Sequence, residues 1–116
     1  MPITIYRNPK CAKSRATLAL IAARGIKPVV IEYLKTPPDK TTLIKILKQL
    51  DMMPRELLRT KEPEFRELKL DNPKLTDSAL LTAMVKHPRL IERPIVTDGR
   101  RAVLGRPPEN VLRLLK

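Results

Sequence analysis

Aromatic side chains are almost missing from this sequence: tryptophan is absent, and Phe65, Tyr6 and Tyr33 are the whole supply. The core must therefore be assembled mainly from Leu, Ile, Val and Ala. Binders of single-stranded nucleic acid stack bases on aromatics set among cations. Neither that interleaving nor a recognisable binding motif is present, so nucleic acid is not an expected partner. The single histidine, His87, excludes a histidine metal cluster; it precedes Pro88 in a loop and reads as structural or incidental. The single cysteine, Cys11, excludes an internal disulfide and fits a reducing compartment. No apolar run approaches the roughly 20 residues of a membrane span. Met1-Pro2-Ile3-Thr4-Ile5 reads as a strand and lacks the charged start, apolar stretch and cleavage site of a signal peptide. A cytoplasmic protein with no membrane partner is expected. Repeats, low-complexity segments and linkers are absent too. A chain of 116 residues suits one domain, here 1–116.

What the sequence has in excess is positive charge. Lys and Arg number 24 against 12 Asp and Glu, a net charge of +12. Such an excess concentrates anions around the protein. Nucleic acid, a small anionic substrate and a merely solvated basic surface all remain open on charge alone.

Along the chain, Ile3-Thr4-Ile5-Tyr6 alternates and is β-branched, which predicts a first strand. Arg7-Asn8-Pro9-Lys10 breaks it. A helix is expected from Cys11 to about Arg24, with Cys11, Ser14, Leu18 and Ile21 or Ala22 on one face, and Gly25 ending it. Pro28 to Tyr33 reads as a second strand, completing a βαβ unit. Thr36-Pro37-Pro38-Asp39 opens a helix that buries Leu43, Ile46, Leu47 and Leu50. Short helices are expected over Pro54–Arg59 and Glu64–Leu70, with Pro63 interrupting them. Thr76 reads as the N-cap of a helix through Lys86 that turns Leu80, Leu81 and Met84 inward. Pro94–Thr97 and Ala102–Leu104 read as a hairpin around Asp98-Gly99. Pro107-Pro108 starts a final helix on Val111, Leu112 and Leu115. The fold class is α/β: β-α-β, then β-β-α, with residues of about 39–90 as a helical insertion between the second and third strands.

The position of Cys11 carries chemistry. It follows the first strand and opens the first helix, where unsatisfied N–H groups and the positive end of the helix dipole favour a thiolate. Arg7, Lys10, Lys13 and Arg15 add positive charge, and the Ser14 hydroxyl lies within reach of the sulfur. The same helix start suits an anion. Cys11-Ala12-Lys13-Ser14 has the Cys-x-x-Ser spacing of single-thiol redox sites. The competing reading is a small buried hydrophobe, which the polar, basic flanks disfavour.

Tyr6-Arg7-Asn8-Pro9-Lys10-Cys11-Ala12-Lys13-Ser14-Arg15 resembles the active-site segment of the glutaredoxin-linked arsenate reductase family, the ArsC type. Tyr33-Leu34-Lys35-Thr36-Pro37-Pro38, Glu56-Leu57-Leu58-Arg59, Glu92-Arg93-Pro94-Ile95-Val96 and Leu104-Gly105-Arg106-Pro107-Pro108-Glu109 match further motifs of that family in order. The resemblance implies a thioredoxin-like fold with a helical insertion. It also implies Cys11 as the attacking thiol, Arg59, Arg93 and Arg106 as oxyanion ligands, and Ser14, Arg7, Asn8 and Pro94 as supporting residues. Pro94 matches the proline that such folds hold cis beside the cysteine. The implied activity is reduction of arsenate to arsenite with glutathione as co-substrate and glutaredoxin as partner, with no metal and no tightly held cofactor. Arg7 replaces a histidine of resistance-type members, so no proton shuttle is available there. The chain resembles the shorter chromosomal members. The alternatives are a single-thiol oxidoreductase and an Spx-like redox or transcription-associated binding protein without arsenate turnover. Redox-sensing Spx relatives usually carry Cys-x-x-Cys, whereas Ser14 stands at the second place here.

Overall fold

The computed structural model describes residues 2–115, which divide into two compact units: 2–36 with 93–115, and Pro37–Glu92. The first unit is built on a four-stranded sheet in the order β2-β1-β3-β4. The strands are β1 (Thr4–Arg7), β2 (Val29–Glu32), β3 (Ile95–Thr97) and β4 (Ala102–Leu104). β1 runs parallel to β2, with Ile5 opposite Val30, and antiparallel to β3, with Ile5 opposite Val96. β3 and β4 form the expected hairpin, Val96 facing Val103. Its turn is held by the Asp98 carboxylate, which accepts from the N–H groups of Arg100 and Arg101 at 2.8 Å each. This is the thioredoxin-like α/β arrangement, with the helical segment interposed in chain order between β2 and β3.

Helix α1 (Ala12–Ala23) connects β1 to β2. It ends at Gly25, whose φ of +71° is the left-handed conformation that closes helices readily without a Cβ. Its buried residues are Ser14, Thr17 and Ile21. Ile21 joins Ile3, Ile5, Val96, Val111 and Leu114 in a core that is wholly aliphatic, with Leu18, Leu20, Ile26 and Val103 packed at its margin. The aliphatic core follows from the scarcity of aromatics.

The last segment departs from the expected α-helix. Pro108–Arg113 is a 3₁₀ helix, closed by bonds such as Asn110 N–H to the Pro107 carbonyl at 3.0 Å and Leu114 N–H to Val111 at 2.9 Å. Consecutive prolines remove two donors at its start, and two tight turns suffice to bring Val111 and Leu114 onto the core. Val29 and Val30 are exposed because β2 is a sheet edge.

The second unit is helical: α2 (Lys40–Leu50), α3 (Pro54–Leu57), α4 (Pro63–Glu67) and α5 (Asp77–Lys86), followed by a 3₁₀ turn at Pro88–Leu90. Asp39 and Thr76 cap α2 and α5 by accepting from Thr42 N–H at 2.8 Å and Ala79 N–H at 3.1 Å. Leu43, Ile46 and Leu47 of α2 and Leu80, Leu81 and Met84 of α5 are buried, while Leu50 is only half-buried. α3 and α4 stop short of the expected Arg59 and Leu70. The chain turns extended at Leu58, which bridges to Ile91. Among the described residues, no helix is long and apolar enough to cross a membrane.

Candidate active site

The loop between β1 and α1 is shaped by Asn8. Its side-chain oxygen accepts from Lys10 N–H at 3.0 Å, its carbonyl from Cys11 N–H at 2.9 Å, and its own N–H donates to the Ser14 hydroxyl at 3.3 Å. These bonds place Cys11 at the N-cap of α1, one residue before the helix begins. Cys11 is half-buried, and Ser14 beneath it is fully buried. No acidic side chain occupies the first turn of α1 to oppose a thiolate there.

Burial pushes the Cys11 thiol up, but hydrogen-bond donors outweigh it. The Ser14 N–H and hydroxyl, the Arg93 guanidinium and the Lys13 N–H bring its pKa down from 9.0 to about 6. Donors directed at the sulfur stabilise its charged form over the neutral thiol. At pH 7 a thiol with that pKa is about nine-tenths thiolate. The side-chain charges of Arg7, Lys10, Lys13 and Arg15, expected to share this work, are not among these principal contributions. Arg7, at the end of β1, is half-buried, and its Nε has no hydrogen-bond partner among the described residues.

Arg93 and Arg106 lie in the same unit as Cys11. Arg93 reaches the sulfur, and Arg106 Nη1 donates to the Arg93 carbonyl at 3.0 Å. Both arginines precede prolines in cis peptides, Arg93-Pro94 and Arg106-Pro107. Arg59 belongs to the helical unit. There its guanidinium pairs with Glu92 at 2.6 Å and with Glu62 at 3.2 Å, both partly buried contacts. Among the described residues, no group of three or more His, Cys, Asp or Glu is disposed to hold a metal ion.

Two residues that pattern reading passed over support the site. Thr17 is fully buried one turn below Ser14, and its hydroxyl donates to the Lys13 carbonyl at 2.7 Å. Gly105 follows β4 and donates its N–H to the Pro94 carbonyl at 2.9 Å. A Cβ on Gly105 would collide with the Thr17 hydroxyl and come within 2.7 Å of Pro94 Cγ. The signal available beforehand was a glycine at a strand end, a common mark of close backbone approach.

The description of the ArsC family matches residues 6–114, nearly the whole chain. The chain belongs to the ArsC family. Its sequence is 47% identical over 110 residues to an arsenate reductase of Neisseria meningitidis, covering 94% of each chain. It is 48% identical over 114 residues to the uncharacterised protein YfgD of Escherichia coli K12, covering 97% of this chain and 96% of that one. Among solved structures, an arsenate reductase from Vibrio cholerae superposes with a TM-score of 0.93 at 50% identity, covering 97% of both chains. For a member of the ArsC family, a half-buried thiolate at a helix start, supported by the Arg93 guanidinium, has the chemistry to attack an oxyanion: a charged nucleophile, with fixed positive charge to receive the anion.

Proposed function

We propose that this chain reduces arsenate to arsenite through Cys11, with glutathione as co-substrate and glutaredoxin as the protein that restores the thiol. The observation that carries the reading is the Arg93 guanidinium set against the Cys11 sulfur at the start of α1. The naming of several relatives as arsenate reductases supports the choice of oxyanion.

The Cys11 thiolate attacks arsenic(V) and expels water or hydroxide. Arg93 and Arg106 bind the oxyanion and offset the charge that builds up during displacement; the planar guanidinium suits paired oxygens and stays protonated throughout. A glutathione thiolate then attacks the Cys11 sulfur. An S–S bond forms, the S–As bond breaks, and its electron pair stays on arsenic, which leaves as arsenite. A dithiol of glutaredoxin removes the glutathione and frees Cys11. External thiols are required because Cys11 has no second cysteine in the chain to resolve it. Ser14 supports the thiolate, Asn8 holds its loop, and Pro94 seats Arg93. Arg59 joins the oxyanion set on resemblance alone; an Arg59→Ala variant with an unchanged KM for arsenate removes it.

The test is NADPH oxidation coupled through glutathione reductase, with arsenate, glutathione and glutaredoxin present. Wild-type protein gives arsenate-dependent oxidation, and Cys11→Ser gives none. Arg93→Ala lowers kcat/KM about 100-fold, the usual effect of removing one transition-state donor. Equal rates in wild type and Cys11→Ser would refute the reading.

A further inference from the structure

The positive charge is distributed unevenly. The first unit, with Lys116 included, holds 13 of the 24 Lys and Arg but only three carboxylates, Glu32, Asp98 and Glu109, and so carries ten of the twelve net charges. Asp98 is committed to its turn and Glu32 pairs with Lys35 at 3.4 Å. In the helical unit, cations and carboxylates nearly balance, and its ion pairs join Arg59 to Glu62 and Glu92, and Arg89 to Glu62 and Glu64. Around Cys11, Lys10, Lys13 and Arg15 are all exposed. Among the described residues none of the three pairs with a carboxylate. Arg15 folds back so that its Nη1 donates to the Pro9 carbonyl at 3.0 Å, which keeps its charge at the mouth of the Cys11 loop.

This collar exceeds what a small oxyanion needs. Arg93 already meets the sulfur, and the three exposed side chains are not principal contributors to the low thiol pKa. We propose that Lys10, Lys13 and Arg15 form the docking surface for a protein thiol reductant whose own reactive thiol is ringed by carboxylates. The proposal rests on the reading of Cys11 as a thiol that passes through a mixed disulfide. Cys11 has to be resolved from outside, and a protein reductant that reaches its sulfur comes over this surface. Its attacking thiolate takes the glutathione sulfur, and Cys11 departs as a thiolate, the better leaving group for its low pKa. The partner's second thiol then releases glutathione and leaves the partner as a disulfide. Complementary charge speeds such an encounter more than it tightens the complex. A nucleic-acid partner is disfavoured because the first unit offers no exposed aromatic: Tyr33 is buried and Tyr6 half-buried.

The test starts from the full chain carrying glutathione on Cys11, made with oxidised glutathione, so no arsenate is needed. Its reduction is followed with an acidic glutaredoxin and, separately, with dithiothreitol. Raising salt from about 20 to about 300 mM is expected to lower kcat/KM for glutaredoxin roughly tenfold while leaving the dithiothreitol rate unchanged. The Lys10→Gln/Lys13→Gln/Arg15→Gln variant at low salt should show a loss of similar size with glutaredoxin and none with dithiothreitol. Salt-independent reduction by glutaredoxin, or an equal loss with both reductants, would overturn the docking surface and leave the arsenate reading standing. Failure of Cys11 to take up glutathione at all would overturn both. Tight binding of a short single-stranded oligonucleotide, lost in the same variant, would replace the proposal with a nucleic-acid surface.

Discussion

Gly105→Ala tests how the packing of the first unit reaches the thiol. Gly105 does not adopt a left-handed φ, so alanine fits its backbone and the cost is purely one of contact. The new methyl would strike the Thr17 hydroxyl and press on Pro94 Cγ, 2.7 Å away. Pro94 follows Arg93, whose guanidinium favours the thiolate, and Thr17 lies one turn below Ser14, the other principal donor. Overpacking of this kind costs about 1–3 kcal/mol of stability. Withdrawal of Arg93 from the sulfur is worth about one pH unit, the lower end of the effect of a nearby opposite charge. The Cys11 midpoint therefore moves from about 6 to about 7, and the thiolate fraction at pH 7 falls from about nine-tenths to about half. The assay is the rate of iodoacetamide alkylation against pH, alongside a denaturant melt. Arg93→Gln serves as a comparison that leaves the Gly105 contact intact, and it should move the midpoint in the same direction. A Gly105→Ala protein that is destabilised but alkylates with the wild-type midpoint would refute the claim that this contact positions Arg93.

Three further outcomes follow from the same geometry. Ser14→Ala removes a fully buried hydroxyl that supports the thiolate and accepts from Asn8 N–H. It should raise the alkylation midpoint and cost about 1–3 kcal/mol in a urea melt. Because the thiol titrates at about 6 when folded against 9.0 ordinarily, wild type should gain stability over Cys11→Ser as pH rises from 6 to 9. That gain is complete above 9 and lost as pH falls through 6; melts at both ends that show no such difference would contradict the lowered pKa. In the helical unit, Thr76→Ala deletes the cap on Ala79 N–H and should cost about 1 kcal/mol, read from the same melts.

Much of the architecture was legible because local signals agreed with the global fold. β-branched alternation marked β1, an Ala-rich run between Cys11 and Gly25 marked α1, and Thr76 marked the start of α5. The position of Cys11 at a helix start was readable for the same reason, since a strand followed by Asn-Pro leaves little else for it to be. What escaped reading depends on contacts distant in the chain. The close approach of Gly105 to Thr17, which leaves no room for a Cβ, joins positions 88 residues apart, and no periodicity encodes it. The donation from Arg106 to the Arg93 carbonyl and the two carboxylates on Arg59 are likewise tertiary. The sequence places four basic side chains, Arg7, Lys10, Lys13 and Arg15, near Cys11. Proximity in sequence does not say which groups aim at the sulfur: the Lys13 backbone does, and so does the Arg93 side chain, from the segment that leads into β3. The apolar pattern of Val111, Leu112 and Leu115 suited an α-helix. It could not distinguish one from the 3₁₀ turns that the two prolines impose.

The central claim is that arsenate oxidises Cys11 through a step that ends with glutathione on that residue. Intact-protein mass spectrometry after incubation with arsenate and reduced glutathione, with glutaredoxin left out, tests it most directly. The account predicts one glutathione per chain, mapped to Cys11, formed only when arsenate is present and absent from Arg93→Ala at the same time point. A protein that remains unmodified with arsenate, or that acquires glutathione equally without it, would contradict the account.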